Sequence, residues 1–262
     1  MSQDVVRIGD AALYHGDCLE ILPMLASASV DMVWTDPPYG HSNHDGDFNA
    51  RLNAHRGIES QPIANDDADC MRRAVDGALS EAVRLLKPDC CCCCCCCCGG
   101  GGPRPTFAWL AERMDEGGLQ FFHSVIWDKV NPGLGWRYRR QHEMVMVAHR
   151  KGGKLLWADN AVAIPNVIRR MPGRSRSHPN EKPVEFVEVF LTAHTRAEHV
   201  VLDPFMGGGT TGVACANLGR KFTGIEIDRQ HFDTACERIE RATKQGTLFA
   251  KPITPQQLEA LP

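Results

Sequence analysis

The chain has 262 residues, of which 43% are hydrophobic and 23% are charged, and its formal net charge is −3. This composition excludes a disordered chain and a fibrous protein, and the length suits one large α/β domain or two small ones. The sequence shows neither a signal peptide nor an apolar run long enough to span a bilayer, so we expect a soluble cytoplasmic protein.

Short apolar strands alternate with amphipathic helices along the chain, which predicts an α/β fold with a mostly parallel sheet. The predicted strands are, in chain order, 12–15, 30–34, 90–98, 119–127, 144–148, 200–202 and 222–227. The predicted helices are 18–25, 66–86, 107–114, 184–193, 212–218 and 230–243. Residues 246–262 are expected to form a loose tail.

Nine of the 13 cysteines form one run, Cys90 to Cys98. Consecutive residues of an extended chain point alternately to opposite faces and cannot converge as the paired ligands of a zinc site do. Because free cysteine behaves as a small buried hydrophobe, the run is predicted to be a strand buried on both faces of a helix-covered sheet. A metal or redox site is the alternative.

Two stretches do not fit the alternation of strands and helices. Residues 40–65 are polar and without a period, and so long a loop is usually functional or mobile. Residues 137–176 hold ten Lys or Arg against Glu143 and Asp159, a local charge of +8 where the rest of the chain carries −11. This segregation indicates contact with nucleic acid; a solvated basic face is the alternative.

A glycine-rich turn, 203–211 (DPFMGGGTT), follows the strand at 200–202 and leads into a helix. Such a turn lets a ligand approach the backbone and the helix N-terminus. Glu226, 19 residues after Gly207 and at the end of the next strand, is placed to accept hydrogen bonds from ribose hydroxyls. We therefore predict an adenosine-containing cofactor, although a plain tight turn would also use glycines. Asp17, at the end of the first predicted strand, lies on the cofactor side or simply caps a helix.

The segment Asp36-Pro37-Pro38-Tyr39 follows the strand at 30–34. Its two prolines stiffen the chain and remove two N–H donors, so that the segment offers a carboxylate, rigid carbonyl acceptors and an aromatic face. These groups suit an exocyclic amine on a ring that stacks against the tyrosine.

With these motifs the sequence resembles the S-adenosylmethionine-dependent DNA amino-methyltransferases of adenine N6 or cytosine N4, in the β-type permuted order with DPPY before the glycine loop. The matching segments are 16–19, 36–39, 178–183 (HPNEKP), 203–210 and 224–226. The resemblance implies a Rossmann-like, circularly permuted sheet of seven strands, mostly parallel with one antiparallel strand and with helices on both faces. It implies one methyltransferase domain over 1–245, with a catalytic half (12–149), a short basic insertion (150–177) and a cofactor half (178–245).

The resemblance also implies the site. S-adenosylmethionine would be the cofactor, with Glu226 on its ribose, Asp17 near its adenine and Gly207 to Gly209 by its methionine part. The cofactor-binding residues would be Asp17, Lys182, Asp203, Pro204, Phe205, Gly207, Gly208, Gly209, Thr210 and Glu226. The sequence departs from the family at Gly208 or Gly209, where many members have Ser, and at the cysteine run, where relatives have a mixed apolar strand.

In the mechanism that this implies, the target base is flipped out of the duplex and stacks on Tyr39. Asp36 and the Pro37 carbonyl accept the amine hydrogens, Pro38 stiffens the segment, and no metal is required. The partner is double-stranded DNA, the chain being a monomer or a homodimer. The residues expected to contact DNA are Arg137, Arg139, Arg140, Arg169, Arg170, Arg174 and Arg176.

Alternatives remain at this level. Family members that methylate cytosine N4 more often have Ser in place of Asp36, so adenine is favoured, and protein glutamine methylation usually goes with Asn there. A non-catalytic nucleic-acid-binding module on the same fold is a different class, which the intact motifs disfavour. A plain nucleotide-binding protein would leave the basic stretch unexplained. The family indicates a bacterial or phage origin and a role in restriction-modification.

Overall fold

In the part of the chain that the structure describes, nine strands form one sheet in the order β1-β2-β9-β8-β3-β4-β6-β5-β7. The computed structural model describes residues 4–37, 68–96, 107–132, 139, 141–158, 163–171 and 182–249. The strands are β1 (Asp4–Ile8), β2 (Ala11–His15), β3 (Val30–Thr35), β4 (Leu86–Cys96), β5 (Leu119–Asp128), β6 (His142–Arg150), β7 (Val167–Arg169), β8 (Val200–Asp203) and β9 (Lys221–Glu226). The helices are α1 (Cys18–Ile21), α2 (Ala68–Leu85), α3 (Phe107–Glu116), α4 (Val184–His194), α5 (Thr210–Leu218) and α6 (Arg229–Phe249).

The sheet is mostly parallel, as predicted. Strands β2, β9, β8, β3 and β4 are parallel neighbours, and β6 runs antiparallel between β4 and β5. The prediction of seven strands was wrong, because it lacked the two strands at the edges of the sheet. Strand β7 pairs parallel with β5, and β1 pairs antiparallel with β2. Both edge strands are short and only partly buried, so neither shows the apolar run by which a buried strand is identified.

Helices cover both faces of the sheet, and β4 contributes to both cores. Cys91 and Cys93 pack in the cluster that contains residues of α4, α5 and α6, whereas Cys90, Cys92 and Cys94 pack in the cluster that contains residues of α1, α2 and α3. The cysteine run is therefore a strand buried on both faces through Cys94, as predicted; Cys97 and Cys98 lie outside the described residues. Burial raises the pKa of the Cys90 thiol to about 12, so this thiol stays protonated at neutral pH and packs as an apolar group.

The helix predicted at 18–25 is shorter than its pattern suggests. Asp17 caps α1 by accepting a hydrogen bond from the Leu19 N–H at 2.9 Å, and a 3₁₀ turn, Leu22–Met24, replaces the rest. Pro23 stands in this turn and lacks the N–H that an α-helix would use. At the other end of the chain, α6 continues to Phe249 and includes residues that were assigned to the tail. Of the helices that the structure describes, none has the length and apolar character needed to cross a membrane.

Candidate active site

The predicted motifs meet at one edge of the sheet. Strands β2, β9, β8 and β3 are parallel neighbours, so the residues that follow their carboxyl ends lie side by side. The Gly16 N–H donates to the Glu226 carbonyl at 2.9 Å, which joins the end of β2 to the end of β9. Pro37 lies after β3 and Phe205 after β8, and both line the same small apolar pocket. Pro37 and the start of the glycine turn, which are far apart in the sequence, are therefore adjacent.

The glycine turn is held in a conformation that needs glycine. Gly207 and Gly209 have φ values of +50° and +81°, in the left-handed region that residues with a side chain rarely adopt. A Cβ on Gly209 would also lie 2.9 Å from Ala235 Cα on α6. The Arg238 guanidinium, also on α6, donates to the Gly208 carbonyl. Helix α6 thus contacts the turn at Gly208 and Gly209, whereas a Cβ on Gly207 would meet no atom within 4 Å.

Asp203 anchors the start of the turn from inside the protein. Its side chain accepts hydrogen bonds from Thr211 Oγ1 at 2.6 Å and from the Phe205 N–H at 3.1 Å. Burial raises its pKa from 3.8 to about 7, and the negative charges of Asp36 and Glu226 contribute to the rise. Asp203 therefore braces the turn, and its carboxyl group lies within electrostatic range of both other acids.

Glu226 lies at the end of β9 and reaches back to the turn. Its carboxylate accepts hydrogen bonds from the Gly207 N–H at 2.9 Å and from the Asp228 N–H at 2.8 Å. Burial raises its pKa. Because a buried carboxylate gains most from strong donors, the hydroxyls of a ribose beside the turn would suit it. The nineteen-residue spacing therefore corresponds to a direct contact in the fold.

Asp36 follows β3 directly and is held by Lys182. The Lys182 Nζ lies 2.6 Å from Asp36 Oδ2. Pro37 is buried, whereas Pro38 and Tyr39 lie outside the described residues. The resemblance assigned Lys182 to the cofactor, but the structure places its ammonium group on the predicted catalytic carboxylate.

The sequence did not predict that Glu143, Lys129 and Trp127 surround the ammonium group of Lys182. The Lys182 Nζ is also 2.9 Å from Glu143 Oε2 on β6, and Lys129 Nζ is 2.6 Å from Glu143 Oε1. Both ammonium groups lie within 6 Å of the buried Trp127 ring centroid. In the sequence, Glu143 is one of the two acids within the basic stretch 137–176, and nothing in that pattern indicates an ion pair with Lys182. Among the described residues, no cluster of His, Cys, Asp and Glu is arranged to hold a metal ion.

The basic residues expected to contact DNA are only partly described. Arg169 is exposed and lies 3.6 Å from Asp128, and Arg170 lies 3.4 Å from Glu185. Both stand at the end of β7, next to the β5 strand that carries Trp127. The Arg139 guanidinium donates to the Pro132 carbonyl at 3.2 Å. Four residues lie outside the described parts of the chain: Arg137, Arg140, Arg174 and Arg176. So do residues 40–65.

Comparison with known families agrees with this geometry. The model of the N6/N4 methyltransferase family, described as DNA methylase, matches residues 30–237. The chain belongs to this family. The match spans the DPP segment, the cysteine strand, the glycine turn and Glu226. Its members transfer a methyl group to an amine of a DNA base, adenine N6 or cytosine N4.

Individual relatives cover almost the whole chain. The type II methyltransferase M2.LlaDCHI of Lactococcus lactis subsp. cremoris is 26% identical, with 90% of this chain and 92% of the relative covered. The putative methylase YubD of Escherichia coli (strain K12) is 27% identical, with 88% and 92% covered. The solved complex of M1.HpyAVI with S-adenosylmethionine has a TM-score of 0.64 at 26% identity, with 87% of this chain and 98% of that one covered.

The PvuII DNA methyltransferase, which is cytosine-N4-specific, shares the fold with a TM-score of 0.66 at 18% identity, over 96% of this chain and 98% of that one. Together with the complexed relative, the family shows that S-adenosylmethionine is the cofactor. The chain's buried acid at the end of β9 and its open glycine turn fit that molecule.

Proposed function

We propose that this methyltransferase modifies the N6 amine of an adenine that has been flipped out of double-stranded DNA. The observation that carries the proposal is the position of Asp36. Its carboxylate lies beside the glycine turn, on a backbone stiffened by Pro37, and an ion pair holds it in place. In family members that act on cytosine N4, Ser is more common at this position, so the carboxylate favours adenine.

The roles of the site residues follow from their chemistry. Asp36 and the Pro37 carbonyl accept the two hydrogens of the amine, which turns the nitrogen lone pair away from the ring and towards the methyl donor.

When bound, S-adenosylmethionine supplies a methyl group on a positively charged sulfur. Glu226 and Asp17 bind its ribose and adenine, while Gly207, Gly208, Gly209 and Thr210 let it approach the backbone. Asp203, Pro204 and Phe205 shape the turn. Tyr39 stacks on the flipped base, and Pro38 keeps the segment stiff. Most of the rate enhancement then comes from positioning and electrostatics.

The DNA duplex is proposed to contact the basic residues of 137–176, including Arg139, Arg169 and Arg170. Because each phosphate contact releases counterions, affinity for DNA should fall at least tenfold between 50 and 200 mM salt, an order-of-magnitude expectation for a few contacts. We further propose that residues 1–245 act as a single methyltransferase domain.

The deciding experiment identifies the modified base. The protein is incubated with labelled S-adenosylmethionine and double-stranded DNA, the DNA is digested, and the nucleosides are separated by chromatography. Label in N6-methyl-2′-deoxyadenosine is expected. Label in N4-methyl-2′-deoxycytidine would show that the target is cytosine and contradict the adenine assignment. Cofactor binding without labelled DNA would favour a non-catalytic nucleic-acid-binding protein.

The role of Asp36 is tested with Asp36→Ala. This variant should lose methyl transfer to DNA by at least about a thousandfold, since it removes the acceptor for the amine. Its affinity for S-adenosylmethionine, measured by calorimetry, should stay within about twofold because the Glu226 and glycine-turn contacts remain. Asp115→Ala, at an exposed carboxylate on α3, is the control. Undiminished turnover in Asp36→Ala would contradict the assignment.

A further inference from the structure

Lys182 is almost completely buried, although it is a charged side chain. Only 5% of the side chain is exposed, just before the start of α4. A buried ammonium group is costly unless it is paired and hydrogen-bonded. Here it is paired twice, with Asp36 after β3 at 2.6 Å and with Glu143 on β6 at 2.9 Å. The side chain thus joins three elements that are far apart in sequence.

Glu143 makes the arrangement electrically balanced. Its side chain is 13% exposed, and its second oxygen contacts Lys129 at 2.6 Å. Burial by itself would raise the pKa of Glu143, but the ammonium groups of Lys182 and Lys129 outweigh it and hold the pKa below its ordinary value. Two carboxylates therefore alternate with two ammonium groups, and no net charge is buried.

Trp127 holds this chain of charges rigidly. The ring is buried, its Nε1–H donates to the Arg170 carbonyl at 2.7 Å, and the Lys129 and Lys182 ammonium groups lie 5.6 and 5.8 Å from its centroid. Cation–π contacts of this kind favour the charged lysines. The side chain of Lys182 is therefore confined by packing as well as by its partners.

We propose that Lys182 is a positioning residue for the reaction, which fixes the orientation of the Asp36 carboxylate towards the amine, and that Glu143 and Lys129 fix Lys182 in turn. The proposal rests on the proposed function, because it concerns how Asp36 meets the base. It replaces the cofactor role that the resemblance gave to Lys182. The ammonium group donates a hydrogen bond to Asp36 and is ion-paired with Glu143, and its positive charge would repel the positively charged sulfur of S-adenosylmethionine.

Lys182→Met tests the proposal by separating turnover from cofactor binding. Since a loosened catalytic group typically costs about a hundredfold, kcat should fall by about that factor, while the Kd for S-adenosylmethionine stays within about twofold. Lys182→Arg, which keeps the charge and the donors, should restore at least a tenth of the wild-type kcat. Lys221→Met, at an exposed lysine paired with Glu198, is the control and should leave both constants unchanged. A large loss of cofactor affinity with kcat preserved would show a cofactor ligand and overturn the proposal.

A second measurement does not depend on activity. Asp36→Asn should lower Tm in the wild type, because it breaks the ion pair with Lys182. In the Lys182→Met background the same change should raise Tm, because Asp36 then faces Glu143 without an intervening cation. Equal effects in the two backgrounds would overturn the role of Lys182. Absence of DNA methylation by the unaltered chain would overturn the proposed function, so that the two failures are seen in different measurements.

Discussion

Replacing Asp203 with Asn should change how the stability of the protein depends on pH. Asp203 is fully enclosed beneath the glycine turn, and its pKa rises from 3.8 to about 7 because burial disfavours the charged form. An unfolded chain ionises this carboxyl near its ordinary value. Asparagine has nearly the same shape, can accept the hydrogen bond from the Phe205 N–H and does not titrate.

The sign follows from proton linkage. Because the folded state holds the proton to higher pH than the unfolded state, the contribution of Asp203 to stability is fully present below pH 3.8 and is lost as the pH rises to about 7. Each pH unit between the two values corresponds to about 1.4 kcal/mol, so the loss amounts to up to about 4 kcal/mol. The variant Asp203→Asn lacks this loss and should gain stability relative to the wild type over this range.

Urea unfolding of both proteins at a series of pH values from 4 to 8 measures the effect. The difference in unfolding free energy should move in favour of Asp203→Asn up to about pH 7 and then level off. Taking the difference cancels the titration of groups that do not interact with Asp203. Asp115→Asn, in which an exposed carboxylate is neutralised, should show a difference of only a few tenths of a kcal/mol at every pH. A difference between wild type and Asp203→Asn that is constant with pH would refute the reasoning.

Three other substitutions test the site and the core. Gly209→Ala should lower the unfolding free energy by about 2–3 kcal/mol, because alanine is strained at a φ of +81° and its Cβ would meet Ala235. Urea unfolding measures this change, and an unchanged stability would contradict the prediction. Glu226→Gln should weaken S-adenosylmethionine binding by about tenfold or more in calorimetry, since a charged acceptor for the ribose is lost; an unchanged Kd would remove Glu226 from the cofactor site. Cys91→Ser should destabilise the fold by about 1–3 kcal/mol, because the residue is completely enclosed in an apolar cluster; Cys91→Ala, which adds no hydroxyl, is the comparison that isolates the polar effect.

Local features of the chain predicted the parts of this site that depend on neighbouring residues. The glycine turn, the acid after β9 and the DPP segment after β3 each consist of a strand followed by a short motif, and strands alternating with helices predict a parallel sheet. Parallel strands place their carboxyl ends at one edge, which is why Asp36, Asp203 and Glu226 could be expected together. The cysteine strand could also be predicted from neighbouring residues alone, because the side chains of a strand alternate between the two faces of the sheet.

The two edge strands and the pairs behind Asp36 depend on tertiary structure. Strands β1 and β7 are short, and only a few of their apolar side chains (Val6, Ile8 and Ile168) pack against the core, where they are partly buried. Their residues therefore show no apolar run long enough to identify a buried strand. Lys182 contacts Asp36, which is 146 positions away in the sequence. It also contacts Glu143, which lies on a third element, β6. Such contacts arise only when α4, β3 and β6 are packed together. Coulombic pairing depends on the distance between the charges in space, and no spacing along the chain encodes that distance.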